Sequence, residues 1–222
     1  MSSSTRSRIL DAAERLFANK GFSETSLRDI TTAANVNLAG VNYHFGSKEA
    51  LLSAVLDRRI GPVNKKRLEL LDAVEAQAGN SKLELEAVLR AFLKPPFQKK
   101  QDWGDATTHF MQIVGRLHFG TDEHFRTSLF QHFEPIVKRF YPAFQRALPN
   151  LEPDEVSWRI LFVIGAMAHT MRWSETNGFL GTSQPKDPEA IVEALIKFAL
   201  AGMSASSRTG PSTSAEKIWS NK

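Results

Sequence analysis

Thr25-Ser26-Leu27-Arg28-Asp29-Ile30, followed after a short gap by Asn35-Val36-Asn37-Leu38-Ala39-Gly40-Val41-Asn42-Tyr43-His44-Phe45-Gly46-Ser47-Lys48-Glu49-Ala50-Leu51-Leu52, decides how the chain is read. Thr25 or Ser26 caps a helix whose buried face is Leu27, Ile30 and Ala34. The pattern breaks at Asn35. Asn37 restarts a short helix, with Val41 inward and Phe45 closing it, and Gly46 stops it. Ser47 then caps a further helix carrying Leu51, Leu52, Val55 and Leu56. Two short helices across a tight turn, with polar groups at their ends, are the geometry of a helix-turn-helix.

Reading DNA needs a helix slim at its leading edge and donors that hold phosphates on either side. Asn37-Leu38-Ala39-Gly40 is small apart from Leu38, so it suits close approach to base edges. Asn37 suits a hydrogen bond to a base or phosphate, and Leu38 suits contact with a thymine methyl. Asn42, Tyr43 and His44 follow as candidate backbone contacts. Lys48 sits in the first turn of its helix, where a cation opposes the helix macrodipole, and a facing phosphate would account for it. Structural readings stand beside these. Asn37 and Ser47 serve equally as plain N-caps, Tyr43 as a half-buried packing residue, His44 as a structural hydrogen-bonding group, and Arg28 as a solvated helix residue.

Upstream, Ser2 to Thr5 with Arg6 and Arg8 reads as a frayed arm entering a helix. Ile9, Ala13, Leu16 and Phe17 keep helical spacing as far as Lys20, and Gly21 is its stop. Ile9-Leu10-Asp11-Ala12-Ala13, Leu16-Phe17, Lys20-Gly21-Phe22, Thr25 to Ile30 and Tyr43-His44-Phe45-Gly46-Ser47-Lys48-Glu49 together resemble the N-terminal DNA-binding domain of TetR-family transcriptional regulators. The resemblance covers Arg8 to Leu52 and implies a homodimer on a near-palindromic double-stranded operator, usually as a repressor. It implies DNA contacts at Thr25, Arg28, Asn37, Leu38, Ala39, Gly40, Tyr43, His44 and Lys48, and Ser26 and Asn42 stand beside them as candidate contacts. Two positions depart from the family pattern. Asn35 stands where Gly is usual, and Asn tolerates left-handed backbone well. Asn42 stands where an aromatic phosphate contact is common. Val41 to Gly46 also resembles the subgroup typified by a fatty-acid-responsive repressor of pseudomonads, with a weaker likeness through Phe110 to Arg116 and Trp158 to Gly165.

Downstream the period is helical throughout, giving an all-α chain of about nine helices. Gly61-Pro62 is expected to interrupt or kink the fourth helix, and Pro95-Pro96 to end the one that carries Leu83, Leu85, Val88, Leu89 and Phe92. Ala106 to Phe119, His124 to Leu148, Asp154 to Glu175 and Glu189 to Met203 read as further helices, with Asn177 to Pro188 a loop. The expected division is a helix-turn-helix domain over residues 1–50, a helical effector-binding and dimerisation domain over 51–203, and a disordered tail over 204–222.

Large apolar residues crowd the second domain. They fill a helical core, and a pocket for a lipophilic small molecule would be lined the same way. Candidate lining residues are Phe92, Phe110, Met111, Val114, Phe133, Phe162, Met167 and Met171, with Arg116 and His169 as polar contacts. His109, Gln112, His118 and Arg172 are the other polar groups set among them. Arg116 and Arg172 suit an acidic ligand best, because the guanidinium pairs with a carboxylate in a fork. Val156, Ile160, Val163 and Ile164, with Ile191, Leu195 and Phe198 on the last helix, offer apolar faces. By the family resemblance these form a four-helix dimer interface.

Composition removes several alternatives. The 222 residues include no cysteine, which excludes disulfides, thiolate metal sites and cysteine nucleophiles. The net charge of +4 favours nucleic acid only weakly, since its placement matters more than its total. There is no Gly-rich phosphate loop, no His–Glu metal motif and no nucleophile elbow, so an enzyme is not expected. No metal or other cofactor is expected either. No apolar stretch approaches the roughly 20 residues of a membrane helix. With no signal-like N-terminus, the expectation is a cytoplasmic, nucleoid-associated protein without a membrane partner.

Overall fold

A computed structural model describes residues 4–103, 123–173 and 187–207. Among the described residues there are eight α-helices and no strand. They are α1 (Thr5–Lys20), α2 (Leu27–Ala34), α3 (Leu38–Phe45), α4 (Lys48–Ala78), α5 (Leu85–Trp103), α6 (Glu123–Ala147), α7 (Pro153–Trp173) and α8 (Pro188–Ser204). The expected helix from Ala106 to Phe119, most of the loop after Asn177, and the tail beyond residue 207 lie outside the described residues.

The first three helices close on the start of α4. Ile9, Ala13 and Phe17 of α1, Ile30 and Ala34 of α2, Val41 of α3, and Leu51, Leu52, Val55 and Leu56 of α4 are all buried. Each large side chain so buried contributes about 1.5–3 kcal/mol. Thr5 already lies within α1: Ser4 caps the helix, its side chain accepting the Ser7 N–H at 3.2 Å, so Arg6 and Arg8 sit in its first turn. Charge also ties α1 to α4. The Glu14 carboxylate is buried and accepts from Arg59 Nε at 2.9 Å and Nη2 at 3.0 Å, and it pairs with Arg58, which also reaches Asp11 at 2.6 Å.

Three prolines do not break their helices as the sequence suggests. α4 runs unbroken through Pro62, and α5 runs through Pro95 and Pro96 to Trp103. Tertiary packing offsets the lost backbone bonds. Ile60 and Val63 flank Pro62 in the core, and Phe92, Leu93 and Phe97 bracket the proline pair there. The 31-residue α4 therefore belongs to both halves of the chain. Its far half packs on α5 and α6, where Leu71 joins Val88, Leu89, Ile136, Phe140 and Phe144. α8 packs on α5 and on α7. The first contact is reinforced outside by Arg90 and Lys94 of α5 on Glu193 of α8, at 2.5 and 2.9 Å.

Candidate nucleic-acid interface

The turn between α2 and α3 is set by local hydrogen bonds. Ser26 and Asp29 form a reciprocal cap: the Asp29 N–H donates to Ser26 Oγ at 3.1 Å and the Ser26 N–H to Asp29 Oδ2 at 2.9 Å. That backbone bond, with the Ser26 hydroxyl and Lys20 behind it, holds the Asp29 carboxyl below its ordinary range. Asn35 ends α2 at φ 51, the left-handed conformation its side chain tolerates. The Val36 N–H closes the turn on Thr31 O at 3.0 Å. Asn37 then caps α3, its Oδ1 accepting the Gly40 N–H at 2.8 Å, which leaves the amide nitrogen as a donor.

α3 divides cleanly into two faces. Val41 is 1% exposed and holds the helix to the core, while Leu38 is 46% and Tyr43 85% exposed. Ala39 and Asn42 are exposed beside them, so Leu38, Ala39, Asn42 and Tyr43 make one continuous outward strip. Tyr43 is therefore not the half-buried packing residue its sequence also allowed. His44 is half-buried, with its ring edge-on to Tyr43 at 5.2 Å. Arg28 on α2 and the N-cap Asn37 are exposed at the borders of the strip, and Gly40 is half-exposed within it. Gly46 turns the chain into α4 at φ 77, a conformation that favours glycine.

One sequence-derived contact needs correcting, and a second has an internal partner of its own. Thr25 is fully buried, its hydroxyl donating to Gly21 O at 2.6 Å. A hydroxyl spent on a carbonyl inside the fold offers nothing to a phosphate. Lys48 is half-buried and its Nζ donates to Thr25 O at 2.8 Å while lying 4.2 Å from the centre of the Phe22 ring. Its place in the first turn of α4 thus has an internal cause, although an ammonium with three donors keeps others beyond that bond. The Ser26 hydroxyl is exposed but engaged with Asp29 at 2.8 Å.

The residues expected to form the dimer face on α7 and α8 divide. Val156 and Val163 are 0% and 6% exposed, and Leu195 on α8 is 6% exposed, so these three pack inside the protomer. Ile160, Ile164 and Ile191 are half-buried. The outward apolar face is instead Trp158, Leu161 and Phe162, with Phe198 of α8, all more than half exposed. Phe162 stacks near Trp158 at 6.2 Å and so lines no internal pocket, and His169 is likewise exposed. Val156, Val163 and Leu195 therefore leave the expected dimer set; two stripes of α7 are apolar at helical spacing, and periodicity alone does not say which turns inward.

Of the other proposed pocket residues, Phe92 and Met171 are buried and Phe133 and Met167 half-buried. Phe110, Met111, Val114 and Arg116, with His109, Gln112 and His118, lie outside the described residues, as does the side chain of Arg172. Sequence reading missed Arg67. It sits on the buried face of α4 with Val63, Asn64 and Leu71, and that i, i+1, i+4, i+8 spacing was the available signal. A charged residue in a polar stretch reads as solvated, and this one is not. Its Nε donates to Phe92 O at 2.8 Å.

Comparison with known proteins agrees with this geometry. Residues 9–55 match the family described as bacterial regulatory proteins, tetR family, and residues 90–202 match the tetracyclin repressor-like C-terminal domain. The chain belongs to the tetR family of bacterial regulators. Among curated relatives, it is 44% identical over 52 residues to the probable HTH-type transcriptional regulator YttP of Bacillus subtilis, covering 23% of this chain and 25% of that protein. It is 38% identical over 76 residues to the HTH-type transcriptional repressor NicS of Pseudomonas putida, covering 32% and 36%. The chain thus spans about a quarter to a third of the length of these relatives. The fold resembles that of the SmeT–triclosan complex, with a TM-score of 0.64 over 90% of this chain and 91% of that one, at 17% identity.

Proposed function

We propose that this protein is a homodimeric, ligand-responsive repressor that reads a near-palindromic DNA operator through α3. The observation that carries the reading is the outward strip of Leu38, Ala39, Asn42 and Tyr43, bordered by Arg28 and Asn37. Leu38 and Ala39 are small or apolar and suit base edges and thymine methyls. Arg28, Asn37, Asn42, Tyr43 and the remaining Lys48 donors suit phosphates. Ser26, Gly40 and His44 take part through backbone or edge contacts. Repression is favoured by the likeness to NicS.

Residues 1–50 act as the reader and 51–203 as the effector and dimer domain, with the tail beyond. The apolar face of Trp158, Leu161, Phe162 and Phe198 is the natural dimer surface, with half-buried Ile160, Ile164 and Ile191 beneath it. An exposed patch of this kind marks association. Dimerisation sets two α3 helices in successive major grooves, about one DNA turn apart. The effector is lipophilic, and a fatty acid or acyl-CoA is the first choice from the resemblance of Val41 to Gly46. Structural likeness to SmeT with triclosan favours an aromatic effector as the second reading. Either releases DNA only by binding the two dimer geometries unequally.

The test is a gel shift on a selected duplex with long-chain acyl compounds and, separately, flat aromatic ones. Release by the acyl series alone supports the first choice and release by the aromatic series alone the second. A duplex that neither series releases contradicts a lipophilic effector.

A further inference from the structure

Arg67 is 2% exposed, and no carboxylate pairs with it among the described residues. Several other arginines differ: Arg58 and Arg59 meet Glu14, Arg90 meets Glu193, Arg139 meets Asp72, and Arg159 meets Glu155. Arg67 has instead the Phe92 carbonyl at 2.8 Å on Nε, the neutral Asn64 Oδ1 at 3.4 Å on Nη1, and the Met167 sulfur at 3.5 Å on Nη2. The Phe92 ring lies 4.5 Å from its Cζ. A thioether is a weak acceptor and a 3.4 Å contact a long one. The two terminal nitrogens, the prongs that match a carboxylate, are thus the poorly satisfied part of the group. Burial lowers the pKa to about 9, which leaves the group charged at neutral pH. A buried charge without a counterion is strongly unfavourable, and a ligand that supplies one is correspondingly favoured.

We propose that Arg67 is the anchor for an amphiphilic acid, a molecule with one apolar body and one carboxylate, whose head-group takes the places now held by Met167 Sδ and Asn64 Oδ1. The inference rests on the reading of residues 51–203 as the effector domain and names the chemistry of its ligand. Phe92 and Met167 offer apolar contact to the body beside the head-group. The position also connects the ligand to the reader. Arg67 lies about five turns along α4 from Lys48. Met167 belongs to α7, and Asn64 also donates to His132 O on α6 at 2.8 Å. A carboxylate taking over the guanidinium therefore breaks the tie from α4 to α7 and releases the Asn64 amide whose other end is bonded to α6, the kind of discrete rearrangement that shifts one element against others.

The test uses the full chain and two matched pairs of probes, dodecanoate with dodecan-1-ol and 2-naphthoate with 2-naphthol, titrated calorimetrically at pH 7.5. In at least one pair the acid is expected to bind about tenfold or more tightly than its alcohol. Arg67→Met should bring the acid to the level of the alcohol without changing the alcohol, and the ligand-free variant should melt no lower than the wild type. If the folded variant keeps its acid affinity, or acid and alcohol bind alike, the anchor is overturned while the effector domain stands. If none of the four binds the wild type, both readings fall. One measurement needs no variant: the carboxyl 13C shift of bound, labelled dodecanoate should stay that of the ionised form well below the pH at which free dodecanoate protonates. A bound probe that protonates at or above that pH has no cation beside it and overturns the anchor.

Discussion

Lys48 Nζ donates to the backbone carbonyl of Thr25 at 2.8 Å, joining the first turn of α4 to the residue before the N-cap of α2. The same ammonium lies 4.2 Å from the Phe22 ring centre. The two helices that flank the reader are thus fixed to each other at the edge where α2 begins. Lys48→Met should lower stability by about 1 kcal/mol, from the lost bond and the lost cation–π contact. Chemical denaturation measures it. The salt dependence of DNA binding separates the two roles of Lys48: a phosphate contact reduces the slope of log K against log salt by about one when removed, and a purely internal tie leaves it unchanged.

Leu38→Ala and Tyr43→Ala change exposed side chains on α3, so each should alter stability by no more than about 0.5 kcal/mol. Their effects on DNA should diverge. Leu38→Ala shifts the preferred sequence in a selection, whereas Tyr43→Ala weakens binding to all sequences alike. Identical behaviour would contradict the division of α3 into a base-reading and a phosphate-holding part.

Glu14 is the buried carboxylate between Arg58 and Arg59. Glu14→Gln keeps the shape and removes the negative charge that Arg58 and Arg59 share, and it should cost about 3 kcal/mol. Arg58 retains Asp11, which limits the loss. A denaturant titration of the variant checks this, and a change below about 1 kcal/mol would mean that water replaces the pair.

Acid stability depends on Glu193, whose carboxyl is lowered to about 2 by hydrogen bonds from Arg90 and then Lys94. Its folded value lies below the ordinary value of 4.5, so its contribution is full above that pH and is lost as pH falls towards 2. Wild type and Glu193→Gln should therefore differ in melting temperature at pH 6 and converge between pH 4.5 and 2. A constant gap across that range would show that packing, not charge, joins α5 to α8.

The N-terminal half of this account was legible because its information is local. Ser26, Asn37 and Ser47 are caps that each bond to the residue three places on, and Asn35 takes the left-handed turn its side chain permits. Two kinds of fact were not legible. Thr25 and Lys48 are engaged with residues brought near by folding, so a donor that looked free in sequence is not. Pro62, Pro95 and Pro96 stay within helices because buried neighbours hold the backbone, a tertiary effect that overrides a local rule. α7 carries two apolar stripes, and only the packing of α8 and α6 decides which turns inward. Arg67 was missed for the same reason: its spacing put it in the core, and its charge argued otherwise.

The central claim is that α3 reads sequence. Selection from a pool of random duplexes with the full chain, followed by footprinting of the enriched duplex, tests it most directly. The account predicts a near-palindromic site whose half-sites lie about one helical turn apart, with protection in successive major grooves. Enrichment of no sequence, with binding that only weakens uniformly as salt rises, would contradict it.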